Sequence, residues 1–162
     1  MSVEEAVISR SARNPSPGPK ARRAPPRRVR VLIVDDIAEN RAVLGVCCEQ
    51  FGMTSEAVGS GREAVEAARS GRFDLVYMDI LMPGMDGVAA TRAIRALPDA
   101  AAKTPIIAVT TASEPMDVLH YRHCGINGVV AKPIDVSRLW AATQTALAES
   151  KRLRRVRVRL SA

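Results

Sequence analysis

Aromatic side chains are scarce, with two Phe, two Tyr and one Trp making up 3% of 162 residues. A core must therefore be filled by Val, Ile, Leu, Ala and Met, and at 47% hydrophobic residues the chain has the material for one domain. Cysteine is nearly as rare. Cys47, Cys48 and Cys124 are odd in number and lack metal-ligand spacing, which argues against a disulfide framework and against a zinc cluster. With Leu44 and Phe51, the first two fall at helical spacing and read as small buried hydrophobes. No apolar run approaches the length of a membrane span. The first residues carry Glu4, Glu5 and prolines where a signal peptide needs an apolar stretch, so the chain reads as cytoplasmic.

Acid is what the two ends lack. Residues 1–30 hold eight Arg or Lys against Glu4 and Glu5, and residues 151–162 hold six with no acid. Of the net charge of +7 the ends thus carry +12 and residues 31–150 carry −5, a mildly acidic globule between basic tails. Pro, Ser and Arg dominate RSARNPSPGPKARRAPPRR at residues 10–28, which predicts a disordered arm over 1–28. The globular domain is expected over 29–149 and a basic tail over 150–162. Within KRLRRVRVRL, Leu153, Val156 and Leu160 suit a continued helix, whereas Val156, Val158 and Leu160 alternate as in a strand. The sequence leaves both open. Such basic ends suit nucleic acid, an anionic membrane or an acidic partner.

Between the ends, short apolar runs alternate with helical patterns. The runs are Val31–Val34, a weak one over Met53–Val58, Leu75–Met78, Thr104–Thr110 and Gly128–Ala131. Helices are expected over 37–51, from a Ser60-Gly61-Arg62-Glu63 capping box to Ser70, over 87–97, over 114–124 and over 135–147. The last is expected to carry Val136, Leu139, Trp140, Thr143 and Leu147 inward. Five strands alternating with five helices imply a doubly wound α/β sheet with parallel strands and right-handed crossovers.

Four of these runs end on reactive groups: Asp35 with Asp36, Asp79, Thr110 and Lys132. A parallel sheet puts all four ends on one edge, where ligands collect. Crowded carboxylates resist ionising together unless a cation neutralises them, and a hard cation with oxygen ligands points to Mg²⁺. Asp79 can then act as a nucleophile toward phosphorus, with Lys132 supplying charge and Thr110 a hydrogen bond. His120 and His123, three apart, read as surface residues.

The segments VDD at 34–36, MDILMPGMDG at 78–87, Thr110 and AKPI at 131–134 resemble, in order and spacing, the receiver domain of two-component response regulators. The resemblance runs from Val29 to Leu147. It implies a flavodoxin-like (βα)5 fold with strand order 2-1-3-4-5 and a bacterial, cytoplasmic phosphoprotein that is not an enzyme in the ordinary sense. Asp79 would be the phosphoacceptor. Asp36, Asp79 and the Leu81 main-chain carbonyl would bind Mg²⁺, with Asp35 acting through water. Thr110 would be the switch hydroxyl, Lys132 the phosphate-pairing ammonium and Lys132-Pro133 a cis peptide. The implied partners are a sensor histidine kinase or histidine phosphotransfer protein and a downstream protein target.

Some positions depart from the family pattern. Val129 stands where receivers usually carry Tyr or Phe, which moves the expected switch to the loop after Thr110 and the helix at 114–124. Thr111 replaces a small residue. Leu81 and Ala112 cannot orient an attacking water, so an acyl phosphate lasting minutes or longer is expected. About thirty residues follow Pro133, too few for an added output domain, which favours a stand-alone receiver; VDDIAENR also resembles the receivers of hybrid histidine kinases. A phosphohydrolase using Asp35 or Asp36 is disfavoured, because no second acid lies two residues beyond Asp35.

Overall fold

The computed structural model describes residues 27–160 with the exception of Asp99, so nearly all of the basic arm expected over 1–28 lies outside the described residues. Five strands alternate with five helices: β1 (Arg30–Val34), α1 (Ala38–Gln50), β2 (Thr54–Val58), α2 (Gly61–Ala68), β3 (Leu75–Met78), α3 (Gly87–Arg95), β4 (Ile106–Thr110), α4 (Pro115–His123), β5 (Gly128–Ala131) and α5 (Val136–Leu160). All strand pairs are parallel and the order is β2-β1-β3-β4-β5, the doubly wound sheet expected. No helix among the described residues is long and apolar enough to cross a membrane.

The strands divide their side chains by the two-residue period of a pleated sheet. Leu32, Val34, Val76, Met78, Ile106 and Ala108 point to one face, where Ala64 of α2, Ala90 and Ile94 of α3 and Tyr121 of α4 cover them. Val31, Ile33, Leu75, Tyr77, Ile107 and Val109 point to the other, under Leu44, Cys47 and Cys48 of α1 and Leu139 and Ala146 of α5. Burial on both faces explains why these strands read as continuous apolar runs. Cys47 and Cys48 are indeed core residues, and burial pushes the Cys48 thiol up to about 12, which keeps it protonated. The one polar pair in this layer is satisfied: Tyr77 Oη lies 2.7 Å from Thr143 Oγ1, which in turn donates to Leu139 O.

Two details correct the sequence expectations, and a third decides between readings the sequence left open. Val136, the first residue of α5, and Trp140 are exposed rather than inward, and Trp140 instead lays its ring against Phe51, 4.6 Å between centroids, just past the end of α1. β4 begins at Ile106, since Pro105 has no amide to donate and a short 3-10 turn at Ala101–Lys103 occupies the chain before it. The tail is helical: α5 continues to Leu160 with no Gly or Pro in it, and lengthening an existing helix gains a hydrogen bond per residue fixed.

Arg95 ties α3 to the loops before β4 and β5. Its guanidinium donates to Gly125 O, Ala102 O, Thr104 O and Asn127 Oδ1 at 2.7–3.0 Å, while Asn127 Oδ1 also accepts from Ile106 N. Burial lowers its pKa to about 10, so it stays charged at neutral pH. Truncation leaves several carbonyls unpaired. Arg95→Ala is expected to lower stability by about 3 kcal/mol, and Arg95→Lys to recover little of it because an ammonium cannot span the same acceptors. Urea unfolding with an unchanged m value checks both.

Candidate functional site

β1, β3 and β5 deliver their acids and base to one edge because register holds their ends level. Val34 pairs with Met78, and the Asp79 amide donates to Val34 O at 2.8 Å, which seats Asp79 beside Asp35. Thr110 pairs with Ala131, and the Lys132 amide donates to Thr110 O at 2.9 Å. The loop after Asp79 closes tightly on it. A Cβ at Gly87 would lie 2.2 Å from Asp79 O, so only glycine lets α3 start there, and the Asp86 side chain caps that start by accepting from Ala89 N.

Asp35 is fully buried and both of its carboxylate oxygens accept hydrogen bonds. Oδ1 accepts from Ile37 N at 2.9 Å and Asn40 Nδ2 at 3.0 Å, and Oδ2 from Lys132 Nζ at 2.7 Å. Asp79, 5% exposed, accepts from Lys132 Nζ at 3.0 Å and from Leu81 N at 3.3 Å. Asp36 is exposed, and its carboxylate has no protein hydrogen bond among the described residues. One carboxylate oxygen from each of Asp35, Asp36 and Asp79 falls within 4.8 Å of the others. Hard oxygen donors this crowded, with one ammonium to offset three charges, suit a divalent cation such as Mg²⁺.

The protonation equilibria follow from the same crowding. Burial raises the Asp79 pKa from its ordinary value; Lys132 pulls against that shift and the charge on Asp35 adds to it. Burial alone would lower the Lys132 pKa, but hydrogen bonds and charge from Asp35 and Asp79 outweigh it and raise the value. Lys132 is therefore an ammonium over the physiological range, and the oxygens of Asp79 are desolvated yet held beside a cation.

Of the residues singled out in the sequence, Asp35, Asp36, Asp79 and Lys132 converge. Thr110 lies at the adjacent strand end, fully buried, with its hydroxyl accepting from Ala112 N at 3.2 Å. Leu81 exposes its side chain and meets Asp79 through its amide. The Lys132-Pro133 peptide is cis, as the family resemblance implies. His120 and His123 are exposed; His120 Nε2 lies 3.7 Å from Cys124 Sγ, a neighbour the sequence reading does not assign.

Two contributors escape the sequence reading. Asn40 supplies a donor to Asp35, and Arg41 donates to the carbonyls of Asp35 and Asp36 at 2.8 and 3.1 Å, pinning the loop that carries both acids. Their signal was position: both lie in the first turn of α1, five and six residues after Asp35, where a helix side chain can reach back over the strand end.

Comparison with known proteins agrees with this geometry. The model of the response regulator receiver domain matches residues 31–144. Transcription factor SKN7 of Saccharomyces cerevisiae is 36% identical over 103 residues, 64% of this chain, and the chain spans 16% of that protein's length. Chemotaxis protein CheY4 of Vibrio cholerae superposes with a TM-score of 0.70 at 30% identity, covering 75% of this chain and 100% of that one. The receiver domain of sensor histidine kinase PA1611 from Pseudomonas aeruginosa, described with magnesium coordinated in its active-site cleft, gives 0.68 at 30% identity over 75% and 99%. A β2-β1-β3-β4-β5 sheet with three carboxylates and a lysine at its carboxyl edge, matched by the family model over most of its length, makes this chain a member of the response regulator receiver domain family of two-component signalling.

Proposed function

We propose that this chain is a stand-alone receiver of a cytoplasmic phosphorelay in which Asp79 takes a phosphoryl group from a phosphohistidine on a sensor histidine kinase or histidine phosphotransfer protein, and that it signals by changing the surface it offers to a target protein. The observation that carries the reading is Asp79 itself. It is desolvated, fixed by Lys132, and next to an exposed carboxylate, Asp36, that no other group occupies among the described residues.

In this reading Asp36, Asp79 and the Leu81 main-chain carbonyl would hold Mg²⁺, with Asp35 acting through water, and the ion supplies positive charge for the phosphoryl oxygens. An oxygen of Asp79 forms the new P–O bond as the P–N bond to the imidazole breaks; the leaving nitrogen takes its proton from solvent. Lys132 shifts its hydrogen bonding from the Asp79 carboxylate to a phosphoryl oxygen. Thr110 releases the Ala112 amide and turns its hydroxyl to another, which moves the loop into α4. Tyr121 of α4 is 5% exposed and packs in the same core layer as Val129, so α4 brings the ring that β5 lacks. Asn40 is a positioning residue, holding Asp35 through Oδ1 so that Oδ2 stays with Lys132.

A second reading places the same receiver inside a hybrid histidine kinase, which the PA1611 neighbour favours. The size of the native product separates the two: 17.4 kDa for the stand-alone protein, far more for the hybrid.

Incubating the protein with acetyl phosphate and Mg²⁺ is expected to add one phosphoryl group by intact mass, absent in Asp79→Asn and persisting for minutes because neither Leu81 nor Ala112 orients water; loss within seconds refutes the lifetime. Because burial raises the Asp79 pKa, its ionised form works against folding, and stability falls as pH rises through that pKa. A cation reverses this. Mg²⁺ at a hundredfold excess over its Kd is thus expected to add about 2.7 kcal/mol at neutral pH, seen as a higher Tm, with the gain shrinking as Asp79 protonates and lost in Asp36→Asn. Asn40→Leu is expected to weaken Mg²⁺ affinity by about 10- to 100-fold in the same thermal titration without removing a ligand.

A further inference from the structure

The last turns of α5 take no part in the crevice or in either hydrophobic layer. From Lys151 to Leu160 the helix carries six Lys or Arg, five of them Arg, and no acid. Twenty-five residues of helix extend about 37 Å, roughly twice the span of a five-residue strand. α5 starts beside Lys132 and crosses to the opposite edge of the sheet, where Leu147, Ser150, Lys151 and Arg154 line a groove with Val29 and Asp74. The acid in that groove is already taken by Arg27 and by the Arg30 amide.

Past this point Lys103 lies near the helix, lining a cavity with Leu153, Arg154 and Val156, and the described side chains of the helix turn to solvent. Residues 151–156 are all exposed, and among the described residues Lys151, Arg152, Arg154, Arg155 and Arg159 form no ion pair. Lys151, Arg152, Arg155 and Arg159 share one side of it with Ala148, spaced to follow a line of anions. We propose that this extension binds duplex DNA through the phosphate backbone, without sequence preference, at the end of the molecule opposite the phosphoacceptor crevice.

Three observations favour DNA over other polyanions. Arginine predominates, and its planar fork pairs with phosphate oxygens better than an ammonium does. A helix about 10–12 Å across fits a major groove about 12 Å wide. Among the described side chains, 151–156 and 159, Leu153 and Val156 are apolar against five Lys or Arg, a ratio that suits a polyanion better than the apolar face of a helix lying in a membrane surface. The net −5 of residues 31–150 repels DNA, which keeps contact to the basic ends and leaves the crevice open to a phosphodonor.

The test is fluorescence anisotropy of a labelled duplex of about 20 bp with the full chain, as salt rises from about 50 to 200 mM. Binding at the low salt is expected, with a log–log slope of about −3 to −5, as contact with four or five phosphates requires. Arg152→Ala/Arg155→Ala/Arg159→Ala, which keeps helix propensity, is expected to lose at least about tenfold in affinity while its circular dichroism and phosphoryl gain on Asp79 stay unchanged. No binding at the low salt overturns the proposal. So does full affinity in the triple variant, which moves the contact elsewhere, and so does tighter binding to phosphatidylserine vesicles or to polyglutamate in the same buffer.

Discussion

Two buried carboxylates share one ammonium, and the geometry of the site follows from that sharing. Lys132 Nζ reaches Asp35 at 2.7 Å and Asp79 at 3.0 Å across sequence separations of 97 and 53 residues. Such a bridge exists only if β1, β3 and β5 run parallel with their carboxyl ends level. In turn, burying two carboxylates without Lys132 would leave uncompensated charge in a desolvated crevice, a heavy penalty for any chain that failed to close the sheet. Fold and site are one constraint here. The bridge is also incomplete, since three carboxylates face one ammonium, and that shortfall of positive charge is what a divalent cation would balance.

The shortfall is kept in place by unreactive parts. Gly87 lets α3 start within van der Waals reach of Asp79, Asn40 and Arg41 stiffen the loop bearing Asp35 and Asp36, and Arg95 holds α3 to the loops before β4 and β5. Each acts through backbone carbonyls or a second side chain rather than on the reacting atoms. The two neighbouring acids are thereby separated in role. Asp35 is buried with both oxygens engaged by protein donors, while Asp36 remains in solvent with its carboxylate unpaired among the described residues.

Charge is segregated along the molecule in the same spirit. The acidic crevice sits at the carboxyl edge of the sheet, the cationic turns of α5 at the amino edge, and one continuous helix joins them. A change at the Thr110 loop and α4 would reach a target on one side of the domain while the basic end stays outside it.

Much of this was legible in the sequence because its signals are local. Apolar runs of four or five residues, a capping box at Ser60 and glycines after helices mark elements one at a time, and an alternation of five with five leaves a parallel sheet as the natural arrangement. The residues at strand ends were legible for the same reason, since a strand's end can be read without knowing its neighbours. What only the tertiary structure decided depends on neighbours. Asn40 and Arg41 matter because the turn after β1 folds them back over it. Trp140 leaves the core and meets the ring of Phe51, just past the end of α1. Arg95 becomes a clasp because two separate loops point acceptors at one place, and the tail is a helix rather than a strand because α5 was already there to extend. Local pattern names the elements and their reactive ends; the distance between those ends, and which of them share a proton or a charge, is settled only when the sheet brings them together.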